Sequence, residues 1–473
     1  MKEEGMFKIA YARGRSWVIA VGIAAFLYLN GHSLLHGDEM ATMLETRMPF
    51  GEMLRFLFVE DVHPPVYFVM LKTWLSVFGQ SVFAARCFSL AGMIACAVFA
   101  GGKIRKLFDE KTAFWFVAFL MLSPVSPWLC RIVRMYSWAL FFTTMAFLSA
   151  ETALIKNDKK QYAFYVFFVV LASWTHYYAA LACAVVALVY LFRSFGRDKA
   201  VFKRFFICNT ILFAVVCPEL WLLSRQNLGE THWISYTQVY DAYRLFFFGK
   251  YFCGTFLMMA AWVVGIQFFQ EQNAVDKKKS ALSGIIVAVC LWYVLFMLSV
   301  FWRPVLTDRY LTIAFGGLYL FFAVGIARKR TNEVLFAFLM TVSFLFSCIG
   351  EKRLTAPNAQ RELYNAVKEN VTNKDVLIAS GWQVRLWLLY WFPDYDIRSY
   401  ESKIYGQRET RFFKRHLKRL RQSDLADLLK TKRVFSVSGY FGACDTVPVV
   451  GGNDGYLTGG DFILSLEKIE RCD

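Results

Sequence analysis

Apolar runs of about 20 residues, long enough to cross a bilayer as helix, recur from Trp17 to Cys348. Short polar segments separate them, and alternate ones are basic: Lys103, Arg105 and Lys106; Lys156, Lys159 and Lys160; Arg193 to Arg204; Lys277-Lys278-Lys279; Arg328-Lys329-Arg330. Loops of this kind stay on the cytoplasmic side, so the pattern predicts about eleven spans with a cytoplasmic N-terminus. The first runs outward from Trp17 to Leu35, and the second returns over Val82 to Gly102. The third, Phe114 to Cys130, holds Pro124 and Pro127, which should bend it. Tyr136 to Ile155 makes the fourth. Tyr162 to Phe192 makes two more that break near His176-Tyr177-Tyr178. A seventh ends near Leu223 and an eighth reaches Lys277. Ala281 to Trp302, a stretch ending at Arg328, and Val334 to Ile349 complete the set.

The first outer loop is acidic, with Asp38, Glu39, Glu45, Glu52, Glu60 and Asp61. Val66 to Phe78 is short for a span and interrupted by Lys72, so it reads as a juxtamembrane helix at the outer interface. From Glu351 the composition becomes that of a soluble domain. Val376-Leu377-Ile378, Val434 to Val437 and Phe462 to Leu466 read as short buried strands, and Gln383 to Phe392 and Thr410 to Leu429 as helices. The predicted architecture is an α-helical polytopic membrane domain, 1–350, with juxtamembrane helices in its first outer loop. A small extracytoplasmic α/β domain, 351–473, follows it.

Composition agrees: 57% of the 473 residues are hydrophobic and 18% aromatic, above the roughly 45–50% apolar content of soluble domains. The net charge of +17 sits in the cytoplasmic clusters, so membrane lipids and not nucleic acid are the implied contacts. Lys2, Lys8, Arg13 and Arg15 precede the first span with no small-residue cleavage site before Asp38, which reads as a retained anchor. Most of the eleven cysteines lie in apolar runs, and none forms Cys-x-x-Cys, leaving zinc and redox motifs without support. Cys444 and Cys472 lie in the tail, where an oxidising compartment would allow them to pair.

The histidines His32, His36, His63, His176, His232 and His416 fall on or near the predicted outer side, as do Asp38, Asp61, Arg131, Arg134 and Arg309. Burying such groups in lipid is costly, so their convergence on one face suggests chemistry; outer loops that are simply polar are the plainer reading. Gly37-Asp38-Glu39 places two acids just past a helix end, suited to a general base or to a helix cap. Asp61-x-His63-Pro64-Pro65-x-Tyr67 is more specific. Its prolines set a helix start, with Asp61 and His63 before it and Tyr67 one turn in. An interfacial helix end with solvated polar residues would look similar.

These residues resemble the protein O-mannosyltransferase-like glycosyltransferases of the GT-C fold, which include bacterial polyprenyl-phosphate-sugar transferases and relatives of the lipid A aminoarabinose transferase. Asp38-Glu39, the Asp61–Tyr67 run and Phe83-Ala84-x-Arg86 carry the likeness. Arg134-Met135-Tyr136, Thr175-His176-Tyr177 and Asp308-Arg309-Tyr310 extend it, so that it covers Trp17 to Arg328. The resemblance implies a polyprenyl-phosphate sugar donor and inverting transfer on the extracytoplasmic face of a multi-pass inner-membrane protein. The acceptor would be a lipid, glycan or protein. It implies Asp38 as general base, with Glu39 and Asp61 orienting the acceptor or tuning the base. Arg309, Arg134, Arg131 and His63 would meet the donor phosphate, His63 standing where relatives often carry lysine. Tyr67, Tyr136, His176 and Tyr310 would contact substrate.

Asp38, Asp61, His63 and His176 are chemically able to ligate a divalent metal, although the mannosyltransferase-like branch generally needs none. A lipid or glycan transporter or flippase is the competing function. It would place ionisable residues or broken helices near the midplane, often with a repeated half; here charge is sparse at that depth and no repeat is visible. Trp233 and Tyr177 are further candidates for stacking on a sugar. Arg408 to Arg421 reads either as a solvated face of the tail or as an amphipathic helix on anionic headgroups.

Overall fold

The structure, a computed structural model, describes residues 2–30, 35, 37–225, 234–247, 254–270, 275–328, 333–354, 358–379, 382–400, 418–420, 422–440, 457–459 and 462–469. His32, His36, His232, Trp233, His416, Cys444 and Cys472 lie outside them. The chain divides into two compact units, Met1–Asn30 with Leu57–Glu351, and Gly31–Phe56 with Lys352–Asp473.

The first unit is helical. Among the described residues eight helices are long and apolar enough to cross a membrane: Ile9–Asn30, Val82–Leu107, Tyr136–Lys156, Tyr177–Phe195, Lys199–Ser224, Asp276–Phe301, Asp308–Arg328 and Glu333–Glu351. Three more apolar helices fall where the sequence places spans. Glu110–Leu122, Lys159–Ser173 and Gly254–Gln270 have 13, 15 and 17 residues, short of the length of a full crossing. The Val66–Phe78 helix has the predicted bounds. The third run is broken rather than bent: its helix stops at Leu122 and a short turn of helix, Ser126–Leu129, follows. Pro124 and Pro127 each lack a backbone donor, and each disfavours helix at the residue before it.

Tyr136–Lys156 and Asp308–Arg328 form the centre, with 89% of each apolar window buried, against 17% for Lys199–Ser224. Small residues make this possible, because association in lipid relies on close packing rather than on hydrophobic contrast. A Cβ on Gly284 would stand 2.5 Å from the Gly317 carbonyl oxygen, and one on Gly317 equally close to that of Gly284. The Val275–Phe301 and Phe315–Arg328 helices therefore touch backbone to backbone at this point.

A buried ion pair ties three helices. Arg193 pairs with Glu151, its Nη2 donating to Oε1 at 3.1 Å. The Tyr190 hydroxyl donates to Oε2 at 2.5 Å and the Ser280 hydroxyl to Oε1 at 2.6 Å. Arg193 Nη1 also donates to Ser283 Oγ at 3.1 Å. Such a pair is tolerated because its remaining hydrogen-bonding capacity is filled.

The second unit contains a six-stranded sheet. Its strands are β1 Val376–Ala379, β2 Asp396–Tyr400, β3 Lys418–Leu420, β4 Val434–Tyr440, β5 Leu457–Gly459 and β6 Phe462–Ile469. The order is β3-β2-β1-β4-β6-β5. The first four strands are parallel, and β6 runs antiparallel to β4 and β5. Fully buried β1 is central, as expected for a parallel strand covered on both faces. The helix read over Thr410 to Leu429 is corrected: β3 occupies Lys418–Leu420, and the helix is Gln422–Thr431. The Gly37–Arg47 helix from the first outer loop packs on Trp382–Trp391 within this unit. Arg47 donates to the Tyr390 carbonyl at 3.2 Å, with its guanidinium 4.1 Å from the centre of the Tyr390 ring.

Glu151→Ala should destabilise the membrane unit by about 3–5 kcal/mol, because it strands a buried guanidinium. Pairing it with Arg193→Met should recover most of the loss, and thermal unfolding in detergent would show both effects. Equal unfolding midpoints for the single variant and the wild type would refute the structural role.

Candidate functional site

In the first unit, four helix breaks supply most of the polar side chains predicted for the site, and hydrogen bonds to backbone carbonyls fasten three of them. Pro65 is the N-cap of Val66–Phe78, so the loop before it is stiff. The Val66 N–H donates to the Trp174 carbonyl at 3.0 Å, fastening this loop to the hinge at 174–176. The turn before Tyr136 is held by the Ser89 hydroxyl, which donates to the Ile132 carbonyl at 2.5 Å. Trp138 Nε1 donates to the Phe88 carbonyl at 3.0 Å. The fourth break, before Tyr310, is reached by the Tyr178 hydroxyl, which donates to the Val305 carbonyl at 2.8 Å.

The polar groups follow from these anchors. Asp61 Oδ1 accepts from the Val62 N–H at 2.7 Å and lies 3.2 Å from His63 Nδ1. His63 Nε2 lies 2.9 Å from Arg134 Nη2. A guanidinium can only donate, so Nε2 must accept and the proton of His63 sits on Nδ1, facing Asp61. His176 has the opposite arrangement. It caps the Tyr177–Phe195 helix, with Nδ1 accepting from the Tyr178 N–H at 3.1 Å. Nε2 therefore carries the proton; it is buried and has no hydrogen-bond partner. The His63 and His176 rings are 6.1 Å apart. His176 also lies 5.9 Å from Tyr136 and 5.7 Å from Tyr310. Tyr310 is 4.5 Å from Tyr178, and the Arg309 guanidinium is 5.5 Å from the Tyr310 ring centre.

Of the residues singled out in the sequence, Asp61, His63, Arg134, Tyr136, His176, Arg309 and Tyr310 thus form one group. Tyr67 is fully buried beside it, its ring 5.8 Å from Phe88. Arg131 is held in a buried ion pair with Glu351. Asp38 and Glu39 open the Gly37–Arg47 helix of the second unit, where two acids in a first turn suit the positive end of the helix dipole. Tyr178 was seen in the sequence only as part of the hinge. Its signal was positional, because a residue just inside a helix that follows a capping histidine shares the break with that histidine.

Residues 62–222 match the model of the dolichyl-phosphate-mannose-protein mannosyltransferase family. ArnT from Cupriavidus metallidurans in the apo state is similar in fold, with TM-score 0.62 at 12% identity over 89% of this chain and 92% of that one. ArnT bound to undecaprenyl phosphate gives 0.63 at 12% identity over 95% and 97%. The chain shares its fold, GT-C, with these ArnT structures. No curated protein matches it.

Within this unit His176 and Asp61 sit in unusual electrostatics. Burial above all, then electrostatic effects of His63, Arg134 and Arg309, hold the His176 imidazole well below the usual histidine range. Burial alone would raise the Asp61 carboxyl, but His63, by electrostatic attraction and hydrogen bond, then Arg134 and the Val62 N–H, bring it below the usual carboxylate range. Asp61 Oδ2 is buried with no hydrogen-bond partner. Among the described residues no group of three or more His, Cys, Asp or Glu side chains is placed to hold a metal ion. What the cluster offers is an anionic acceptor, a neutral N–H donor and guanidinium groups beside aromatic faces.

The depressed His176 predicts a pH effect. The unfolded chain takes up this proton near the ordinary value of 6.5 and the folded chain only well below it. The associated stability is therefore complete above 6.5 and is lost as pH falls. Asp61 adds a further loss only below its ordinary 3.8. The unfolding midpoint should drop between about pH 7 and about pH 5. His176→Asn, which keeps a capping acceptor, should flatten that drop; superimposable curves would refute the assignment.

Proposed function

We propose that this chain is a membrane glycosyltransferase that moves a sugar from a polyprenyl-phosphate donor to an acceptor hydroxyl or phosphate, with inversion, on the extracytoplasmic face of the inner membrane. The observation that carries the reading is the grouping of Arg134, Arg309, His63 and His176 in a chain whose fold matches, almost end to end, a protein crystallised with undecaprenyl phosphate. Guanidinium groups bind phosphate oxygens in pairs, and a donor phosphate leaving as an anion needs this charge. Arg309 and Arg134 are its first ligands, with Arg131, which is paired with Glu351, next in order. Tyr136 and Tyr310, buried with their rings 6.3 Å apart, are the aromatic groups assigned to the sugar, and Tyr67 packs against Phe88.

In an inverting step, the acceptor oxygen attacks the anomeric carbon as the bond to the phosphate oxygen breaks, and a base takes the acceptor proton. Asp38 is the proposed base, with Glu39 and Asp61 as carboxylates that orient the acceptor or tune the base. The assignment of Asp38 rests on the sequence resemblance of Asp38-Glu39. The N-terminus is placed in the cytoplasm and the α/β domain outside, on the distribution of Lys and Arg between loops. The transporter reading has less support, because charge is sparse within the spans and the sequence shows no repeated half.

Asp38→Asn should abolish transfer while membrane insertion and folding persist; a fully active variant would remove Asp38 as base. Arg309→Ala should weaken donor binding by about tenfold or more, the size of a lost charged hydrogen bond, with a smaller effect on acceptor KM. Mass spectrometry of membrane glycoconjugates with and without the protein would test the function itself. Unchanged glycoconjugates across acceptor classes would overturn it.

A further inference from the structure

The two site histidines differ in one respect that bears on how an anion is received. His176 has its Nδ1 lone pair committed to the backbone N–H of Tyr178. A second proton there would break the helix cap and add charge to a buried ring. His63 instead has its Nε2 lone pair held by Arg134 and its Nδ1 proton facing Asp61. With Arg134 on Nε2, a proton on that nitrogen would set donor against donor and cation against cation. Remove the guanidinium from Nε2, and the same proton is welcome, since Asp61 already faces the far side of the ring.

We propose that His63 is a titrating phosphate ligand. An anionic donor headgroup draws the Arg134 guanidinium off Nε2, His63 takes one proton from solvent, and the resulting imidazolium donates to a second phosphate oxygen. The inference rests on the donor reading above and deepens it to a coupling between donor binding and proton uptake. The exchange balances. The Arg134–His63 hydrogen bond is replaced by one from Arg134 to phosphate and one from His63 to phosphate. A single proton is consumed, and no covalent bond to carbon or phosphorus changes.

The groups around the ring favour this sequence of events. Asp61, on the same loop, stabilises the imidazolium, and its Oδ2 has hydrogen-bonding capacity left over. Arg134, ahead of the Tyr136–Lys156 helix, and Arg309, whose charge reaches His176, oppose the imidazolium until an anion offsets them. His176, at the head of the Tyr177–Phe195 helix, is held neutral and adds no charge. Phe68, 6.3 Å from the ring, contributes only an apolar wall. Because a group whose pKa rises on binding takes up a proton, donor affinity should fall as pH rises, by up to about tenfold per pH unit.

The experiment is calorimetric titration of the full-length protein in detergent with undecaprenyl methyl phosphate, a diester whose single charge does not titrate near neutrality. Measured at one pH in buffers of different ionisation enthalpy, the heats should show net uptake approaching one proton per molecule bound. His63→Lys, which carries a fixed charge, should bind with no uptake and a flat pH profile. His63→Gln should bind about tenfold more weakly, the loss of one charged hydrogen bond, also without uptake. Wild-type binding without proton uptake, or uptake that survives in His63→Lys, would overturn the coupling and leave the donor reading standing. Absence of binding by folded wild-type protein would overturn both. The wild-type buffer series decides the matter even if a variant fails to fold.

Discussion

Backbone groups that cannot reach water must find partners within the chain, and this requirement governs where the protein can place polar chemistry. Inside lipid the helix satisfies it unaided, so non-helical backbone is confined to breaks and ends. Each break exposes N–H and C=O groups that need partners, and here the breaks serve one another. The Val66 N–H finds the Trp174 carbonyl, and the Val305 carbonyl takes the Tyr178 hydroxyl. The bonds that settle the helix ends thereby bring Asp61, His63, His176 and Tyr310 to the same place. Proximity among these side chains is a by-product of backbone satisfaction, reinforced by prolines that keep the loop from extending its helix.

Two buried polar groups in the membrane unit make an instructive contrast. Glu151 is saturated, with Arg193, Tyr190 and Ser280 filling both carboxylate oxygens. Nothing there is left to bind with, and the cluster acts as a fastening between helices. Around His63 the accounts stay open. Asp61 Oδ2 and His176 Nε2 are buried with capacity unused, a costly condition in a low-dielectric interior. Unlike the Glu151 cluster, this group keeps polar atoms open to a further partner.

Much of this was legible from sequence wherever a local rule decides the outcome. The break at His176 and the bounds of Val66–Phe78 were visible, because apolar runs stop where polar residues or proline make continuation expensive. The membership of His63, Arg134 and Arg309 in one group was anticipated through motif resemblance. What stayed hidden depends on partners distant in sequence. Nothing near Arg131 announces Glu351. The strand at Lys418–Leu420 lies in a basic stretch with helical periodicity, and it is a strand because β2 offers a parallel edge. Likewise, the Gly37–Arg47 helix reads as part of a loop between spans, yet Arg47 meets Tyr390. The proton positions on the two histidines come from a guanidinium and a backbone N–H, and no sequence pattern specifies either.

The ion pair between Arg131 and Glu351 has a mechanical meaning. Glu351 is the last residue of the membrane unit, and the chain passes at Lys352 into the second. A cable is clamped where it enters its housing so that tugging outside does not loosen the terminals within. A buried charge pair fixes this chain at residue 351, the end of the membrane unit. Its other jaw is Arg131, three residues before Arg134, so the end of the last span is fastened to the turn that carries the site guanidinium.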